Sequence, residues 1–178
     1  MNRRIATAGK FRSTEEARID RKIVQALEAA GINFYASVPC GLLDGVLQLI
    51  TRRKTFTHIP VTREEEGVGL CAGAYLGGAR PALLMQNSGL GNSINALLSL
   101  TALYHLGLLL VIGYRGRQGE EQIEAQMPMG KATTKLLDIL QAKYEVIERE
   151  RDIEHVRTSA EQTRNRIRAV LLTPTAWK

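Results

Sequence analysis

Strand-like and helix-like segments alternate along the whole chain, and that rhythm restricts the fold more than any other feature of the sequence. A capping box, Ser13-Thr14-Glu15-Glu16, opens a first helix, whose apolar residues Ile19, Ile23, Val24, Leu27 and Ala30 recur at helical spacing until Gly31. Residues 32–38 read as a strand ended by Pro39, and Leu42, Leu43, Val46, Leu47 and Ile50 as a second amphipathic helix. The same reading predicts strands at 56–61, 81–85, 108–114, 144–147 and 170–173, with helices at 64–76, 92–103, 133–142 and a long charged one from 152. A polar loop, 115–130, breaks the rhythm once. Parallel strands need a crossover, which a helix supplies with a right-handed sense. The order therefore predicts an α/β fold, a single three-layer domain with a parallel sheet and helices on both faces.

A chain of 178 residues, 44% of them apolar, can bury a core without a disulfide or metal staple. Residues 1–13 read as a basic N-terminal arm and 14–178 as one domain. The apolar run 106–113, with its approach from Leu97, is interrupted by Ser99, Thr101, His105 and Gly107. It falls short of the ~20 residues a bilayer requires, so no membrane partner is expected. No secretion-type apolar segment follows the basic start, so the protein is expected in the cytoplasm. Cys40 and Cys71 are too far apart, and too short of His partners, for a zinc site, and are expected to be thiols. The net charge of +6 raises nucleic acid as a partner, but 5% aromatic residues leave little on which to stack bases. Handling of small anions is the reading the charge supports.

In a parallel α/β sheet, ligands bind beyond the carboxyl ends of the strands. Four loops there carry unusual sequences: Pro39-Cys40-Gly41, Thr62 to Glu66, Gln86-Asn87-Ser88-Gly89-Leu90-Gly91-Asn92, and Arg115-Gly116-Arg117-Gln118-Gly119. Glu64, Glu65 and Glu66 open a helix, where acidic side chains interact favourably with the helix dipole whatever else they do. The small residues Gly67, Gly69, Ala72, Gly73 and Ala74 that follow permit close approach of a backbone, a partner helix or a flat cofactor. The run 86–92 offers amide, hydroxyl and backbone donors at a helix start, although Asn and Gly also suit a plain turn. It is no dinucleotide fingerprint, since Ile94 occupies the third glycine position, and no phosphate loop, since Gly-Lys-Ser/Thr is missing. His58 and His105 adjoin apolar segments and read as structural, and His155 as solvated.

These motifs, in this order, give the chain a resemblance to the pyrimidine-binding half of thiamine-diphosphate-dependent 2-oxo acid decarboxylases. The alpha subunits of sulfopyruvate decarboxylases are nearest and phosphonopyruvate decarboxylases next. The resemblance covers roughly residues 20–142 and rests on Val38-Pro39, the Glu-led helix reaching Ala72-Gly73, Met85 to Asn92, and Gly113-Tyr114-Arg115-Gly116 with Met129-Gly130 beyond. It implies thiamine diphosphate as cofactor, with a glutamate that shares a proton with the aminopyrimidine ring. Nine residues normally separate that glutamate from the helix glycine, and counting back from Gly73 lands on Glu64, with Glu65 and Glu66 as alternatives. A carboxyl group in a poorly solvated cleft is suited to that exchange. Cofactor contacts are implied for Pro39, Glu64, Gln86, Asn87, Ser88, Gly89, Leu90 and Asn92, and substrate contacts for Cys40, Arg115, Arg117 and Gln118. Arg63 and Lys131 are further cations on the same loops.

The chain contains no Gly-Asp-Gly, the family's hallmark for holding magnesium and diphosphate. The resemblance therefore implies that Mg2+ is held by a separate beta subunit carrying the diphosphate-binding domain, with self-association of this chain besides. Cys40 stands where several relatives carry an acidic residue. The implied reaction is decarboxylation of 3-sulfopyruvate to sulfoacetaldehyde; phosphonopyruvate, another 2-oxo acid, or a non-catalytic binding module are the alternatives.

Overall fold

The computed structural model describes residues 13–117, 119 and 123–178. Apart from Ser13, the expected N-terminal arm lies outside the described residues, as does Gln118. Among the described residues, β1 (Phe34–Ser37), β2 (Thr57–Pro60), β3 (Pro81–Gln86), β4 (Leu108–Gly113), β5 (Lys143–Ile147) and β6 (Ile167–Leu172) form one sheet in the order β2-β1-β3-β4-β6-β5. Every pairing is parallel. The α-helices are α1 (Thr14–Ala29), α2 (Asp44–Arg52), α3 (Glu64–Leu76), α4 (Asn87–Ala96), α5 (Met127–Ile139) and α6 (Glu154–Glu161).

Successive strand side chains point to opposite faces, and both faces of the sheet are covered. Ala82, Leu84, Leu109, Val111, Val170 and Leu172 pack with Ile23, Leu27, Val46, Ile50 and Val156 of α1, α2 and α6. Leu83, Met85, Leu108, Leu110, Ile112 and Leu171 pack with Val68, Leu90 and Leu137 of α3, α4 and α5. This is the expected three-layer arrangement, and the continuous apolar runs of β3 and β4 reflect their burial on both sides. The expected capping box forms, with Ser13 Oγ accepting from the Glu16 amide and Glu16 Oε2 from the Ser13 amide. No helix among the described residues is long and apolar enough to cross a membrane.

Several expected boundaries shift, among them the start of β6, which is Ile167 rather than 170. α4 begins at Asn87 rather than 92, with Gln86 as its extended N-cap, so most of the supposed loop is helix. It runs on through a π-helical turn, Leu97–Ala102, and ends at His105, an exposed surface cap with φ of 52° rather than a core histidine. α5 begins at Met127, not 133, with Pro128 in its first turn, where a missing N–H costs nothing. The expected long charged helix is a short 3₁₀ turn, Glu150–Ile153, followed by the eight residues of α6.

The connection from β1 passes to β2 on one side, whereas β3 lies on the other side of β1. That reversal leaves a crevice beyond the carboxyl ends of β1 and β3, into which neither crossover folds.

Candidate functional site

The loops after β1, β2, β3 and β4 meet at this crevice because those four strands are neighbours and point the same way. Pro39 is exposed at its rim, and Cys40 is buried behind it. The Cys40 Sγ lies 2.8 Å from where a Cβ on Gly113 would stand, so the end of β4 must be glycine for this thiol to seat there. Neither Cys40 nor Cys71 forms a disulfide, and burial pushes the Cys71 thiol up to about 12.

The three carboxylates at the start of α3 diverge. Glu66 turns back on the preceding loop and accepts from the Thr62 amide at 3.1 Å and the Thr62 hydroxyl at 3.0 Å. Glu65 pairs with Arg63 at 3.0 Å. Hydrogen bonds from Thr62 and from Arg63, respectively, hold these two carboxyls below the usual range. Glu64 alone reaches across to α4, where its Oε2 accepts from Asn92 Nδ2 at 3.2 Å. A Cβ on Gly89 would lie 2.4 Å from Glu64 Cγ and 2.6 Å from its Oε1, so the carboxyl rests directly on the first turn of α4. The sequence folds this way because α3 itself sits tightly on the sheet, with Gly67 against the Leu83 side chain.

Gln86, at the tip of β3, donates to Ser88 Oγ at 3.2 Å and to Gln126 Oε1 at 3.0 Å, and Gln86 and Ser88 both remain partly exposed. Asn87 is fully buried: its amide donates to Arg115 O and to Thr133 Oγ1, both at 2.9 Å, and its Oδ1 accepts from the Arg115 amide. Leu90 lies in the core beneath the helix. The structure thus brings Glu64, Gln86, Ser88, Gly89 and Asn92 together around the α4 start, with Asn87 and Leu90 directed inward. Arg115 is half-buried at the opening of the β4–α5 loop. Arg117 is engaged elsewhere, in an ion pair with Glu148 at 2.7 Å and 5.8 Å from the centre of the Tyr114 ring. Lys131 is exposed, as is Arg63 apart from its pair with Glu65.

Sequence reasoning quoted Met129-Gly130 as part of the resemblance but began α5 at 133 and placed none of its residues in the site. Gln126 bonds Gln86, Met129 packs 3.5 Å from the position of a Gly91 Cβ, and a Cβ on Gly130 would fall 1.9 Å from Gly116 O. The paired glycines let the β4–α5 loop close against the α5 backbone, and Tyr114 donates to Gly130 O at 3.0 Å to hold it. Pro128 was the signal that α5 begins here. His58, expected to be structural, bonds Ser37 Oγ at 2.8 Å and Thr51 Oγ1 at 3.0 Å, and burial lowers its pKa, favouring the neutral ring.

No family model matches the chain. It is 52% identical over 122 residues to the sulfopyruvate decarboxylase subunit alpha of Methanococcus maripaludis, an alignment spanning 68% of this chain and 72% of that one. The phosphonopyruvate decarboxylase of Streptomyces viridochromogenes is 33% identical over 125 residues, which cover 70% of this chain and 32% of that longer protein. Among solved structures, the 2-oxoglutarate:ferredoxin oxidoreductase of Magnetococcus marinus superposes with a TM-score of 0.67 at 13% identity, over 89% of this chain and 29% of that one. At that identity the likeness concerns the fold.

Proposed function

The chain belongs to the sulfopyruvate decarboxylase alpha-subunit family, and on that premise we propose that it is the pyrimidine-binding subunit of a thiamine-diphosphate-dependent decarboxylase. Its reaction converts 3-sulfopyruvate to sulfoacetaldehyde and carbon dioxide, with a separate beta subunit completing the site. The observation that carries this reading is the Glu64 carboxyl, seated on the first turn of α4 at the switch-point crevice.

The residues present fit the pyrimidine half of the cofactor. Gly89 presents bare backbone beside Glu64, and Gln86 and Ser88 offer amide and hydroxyl groups at the same helix start. When bound, thiamine diphosphate supplies a nucleophilic carbon and an electron sink for the electrons released with carbon dioxide. Glu64 would exchange a proton with the aminopyrimidine ring, and Pro39, Gln86 and Ser88 would line its surroundings. Asn87 and Leu90 hold the wall behind them. Mg2+ and the diphosphate would fall to the beta subunit, since this sequence has no Gly-Asp-Gly. Arg115, Arg117, Cys40 and Gln118, on the loops after β1 and β4, are the candidates for contact with the substrate. A guanidinium suits a sulfonate as it suits other oxyanions.

Co-expression with the beta subunit, followed by assay of carbon dioxide release from sulfopyruvate, phosphonopyruvate and pyruvate, tests the reading. The complex should favour sulfopyruvate in kcat/KM by about tenfold or more, the equivalent of one well-made contact to the anionic group. The isolated chain should turn over none of the three. Turnover by the isolated chain, or a complex inert towards sulfopyruvate, would overturn it, and preference for phosphonopyruvate would reassign the substrate.

A further inference from the structure

Glycine within a helix is less favourable than alanine, so it calls for a reason, and at position 89, in the first turn of α4, the reason is not a positive φ. What it provides is room. The space a Cβ would fill is taken by Glu64 Cγ at 2.4 Å, Oε1 at 2.6 Å and Cδ at 2.7 Å. Because Cγ is among these atoms, a side chain here would force the whole Glu64 side chain into another rotamer, not merely turn its carboxyl end. One helical turn on, Asn92 donates through Nδ2 to Glu64 Oε2 at 3.2 Å. The Gly89 carbonyl is fixed in turn by the Ser93 hydroxyl at 2.8 Å, so the platform under the carboxyl is itself held.

We propose that Gly89 and Asn92 form a seat on α4 that fixes the Glu64 carboxyl, and that Asn92 is a positioning residue acting through Glu64 rather than a direct cofactor contact. The inference deepens the reading of Glu64 given above and rests on it. A carboxyl oxygen accepts hydrogen bonds, so the amide that Asn92 donates to Oε2 sets the orientation of the Glu64 carboxyl on this platform. Position, not chemistry, is what the seat contributes. Displacements of about 1 Å at a reacting group can cost about 100-fold in rate.

Two measurements test this, one without the cofactor. In the full chain alone, the Asn92 side-chain amide resonances should move on Glu64→Ala and stay in place on Glu65→Ala; resonances indifferent to Glu64→Ala would overturn the seat. In the complex with the beta subunit, at saturating thiamine diphosphate and Mg2+, deuterium exchange at C2 of the bound cofactor should slow by about tenfold in Asn92→Ala and by about 100-fold in Gly89→Ala. Asn92→Asp, which sets a carboxylate against a carboxylate, should slow it more than Asn92→Ala does. Cofactor affinity and assembly should be unchanged in Asn92→Ala, which separates positioning from binding and from folding. Exchange at the wild-type rate in Asn92→Ala, with Glu64→Gln impaired, would overturn the positioning role and leave the decarboxylase reading standing. Wild-type exchange in Glu64→Gln as well would overturn both.

Discussion

Three adjacent glutamates at the start of α3 have the same chemistry and nearly the same sequence context, yet only one faces another functional element. Glu65 is tied to Arg63 and Glu66 to Thr62, whereas Glu64 crosses to Asn92 of α4. The difference arises because consecutive helical residues are about 100° apart around the axis, so one residue of the three points at a given neighbour. Glu64→Gln keeps the shape of the side chain while removing its exchangeable proton. General acid–base contributions are about 10²–10⁴-fold, so kcat of the complex should fall by at least about 100-fold with assembly intact. Glu65→Gln and Glu66→Gln should remain within about threefold of wild type, since exposed polar pairs of this kind contribute little. Parallel kcat measurements on the three variants check the register directly, and a collapse at Glu65 or Glu66 instead would move the role to that residue.

At the scale of the element, α3 and the α4 continuation carry most of the exposed large apolar side chains among the described residues. Leu76 is 73% exposed, Leu103 62% and Tyr104 65%, and a Cβ on Gly69 or Gly73 would meet nothing within 4 Å. α1, by contrast, turns its apolar stripe wholly inward. Burying a leucine contributes about 1.5–3 kcal/mol, and we propose the α3–α4 face as the surface for association with a second copy or the beta subunit. The double variant Leu76→Glu/Leu103→Glu should weaken assembly at least about tenfold in sedimentation, with helix content by circular dichroism unchanged. A wild-type chain that stays monomeric at micromolar concentration, with partner and cofactor present, would count against this surface.

Across the whole molecule, charges and one buried polar pair join segments far apart in sequence. Glu150, in the turn before α6, bonds both Arg18 and Lys22 of α1, and these two cations hold its carboxyl down to about 2 from an ordinary value of 4.5. Nearby, Trp177 Nε1 donates to the buried Asp20 Oδ1 at 2.8 Å, fastening the last described turn to the same helix. Because the Glu150 pKa is lowered on folding, its ion pairs stabilise the native state above 4.5, and that contribution fades as pH falls towards about 2. The urea midpoint of Glu150→Gln should therefore lie below wild type at neutral pH, with the gap closing across that acid window. A gap independent of pH would show that the pairing is not what the substitution removed. The effect should be small, since all three groups are partly exposed.

What the sequence determined by itself was whatever depends on near neighbours: the alternation of strands and helices, the capping box at Ser13, the burial of β3 and β4, and α3 from Glu64 to Leu76. Periodicity and capping act over a few residues and can be read in one dimension. The resemblance to a decarboxylase family was legible for the same reason, since its motifs are short and lie in order at strand ends. Tertiary structure alone decided the strand order and with it the crevice between β1 and β3, the start of α4 at Asn87, and the inward turn of Asn87 onto Arg115 and Thr133. It also decided the close approaches for which glycine is needed. The 86–92 run looked like a loop because its glycines disfavour helix locally. It is helical nonetheless, and its glycines answer to tertiary contacts, Gly89 admitting Glu64 and Gly91 lying against Met129, between residues that no local pattern links.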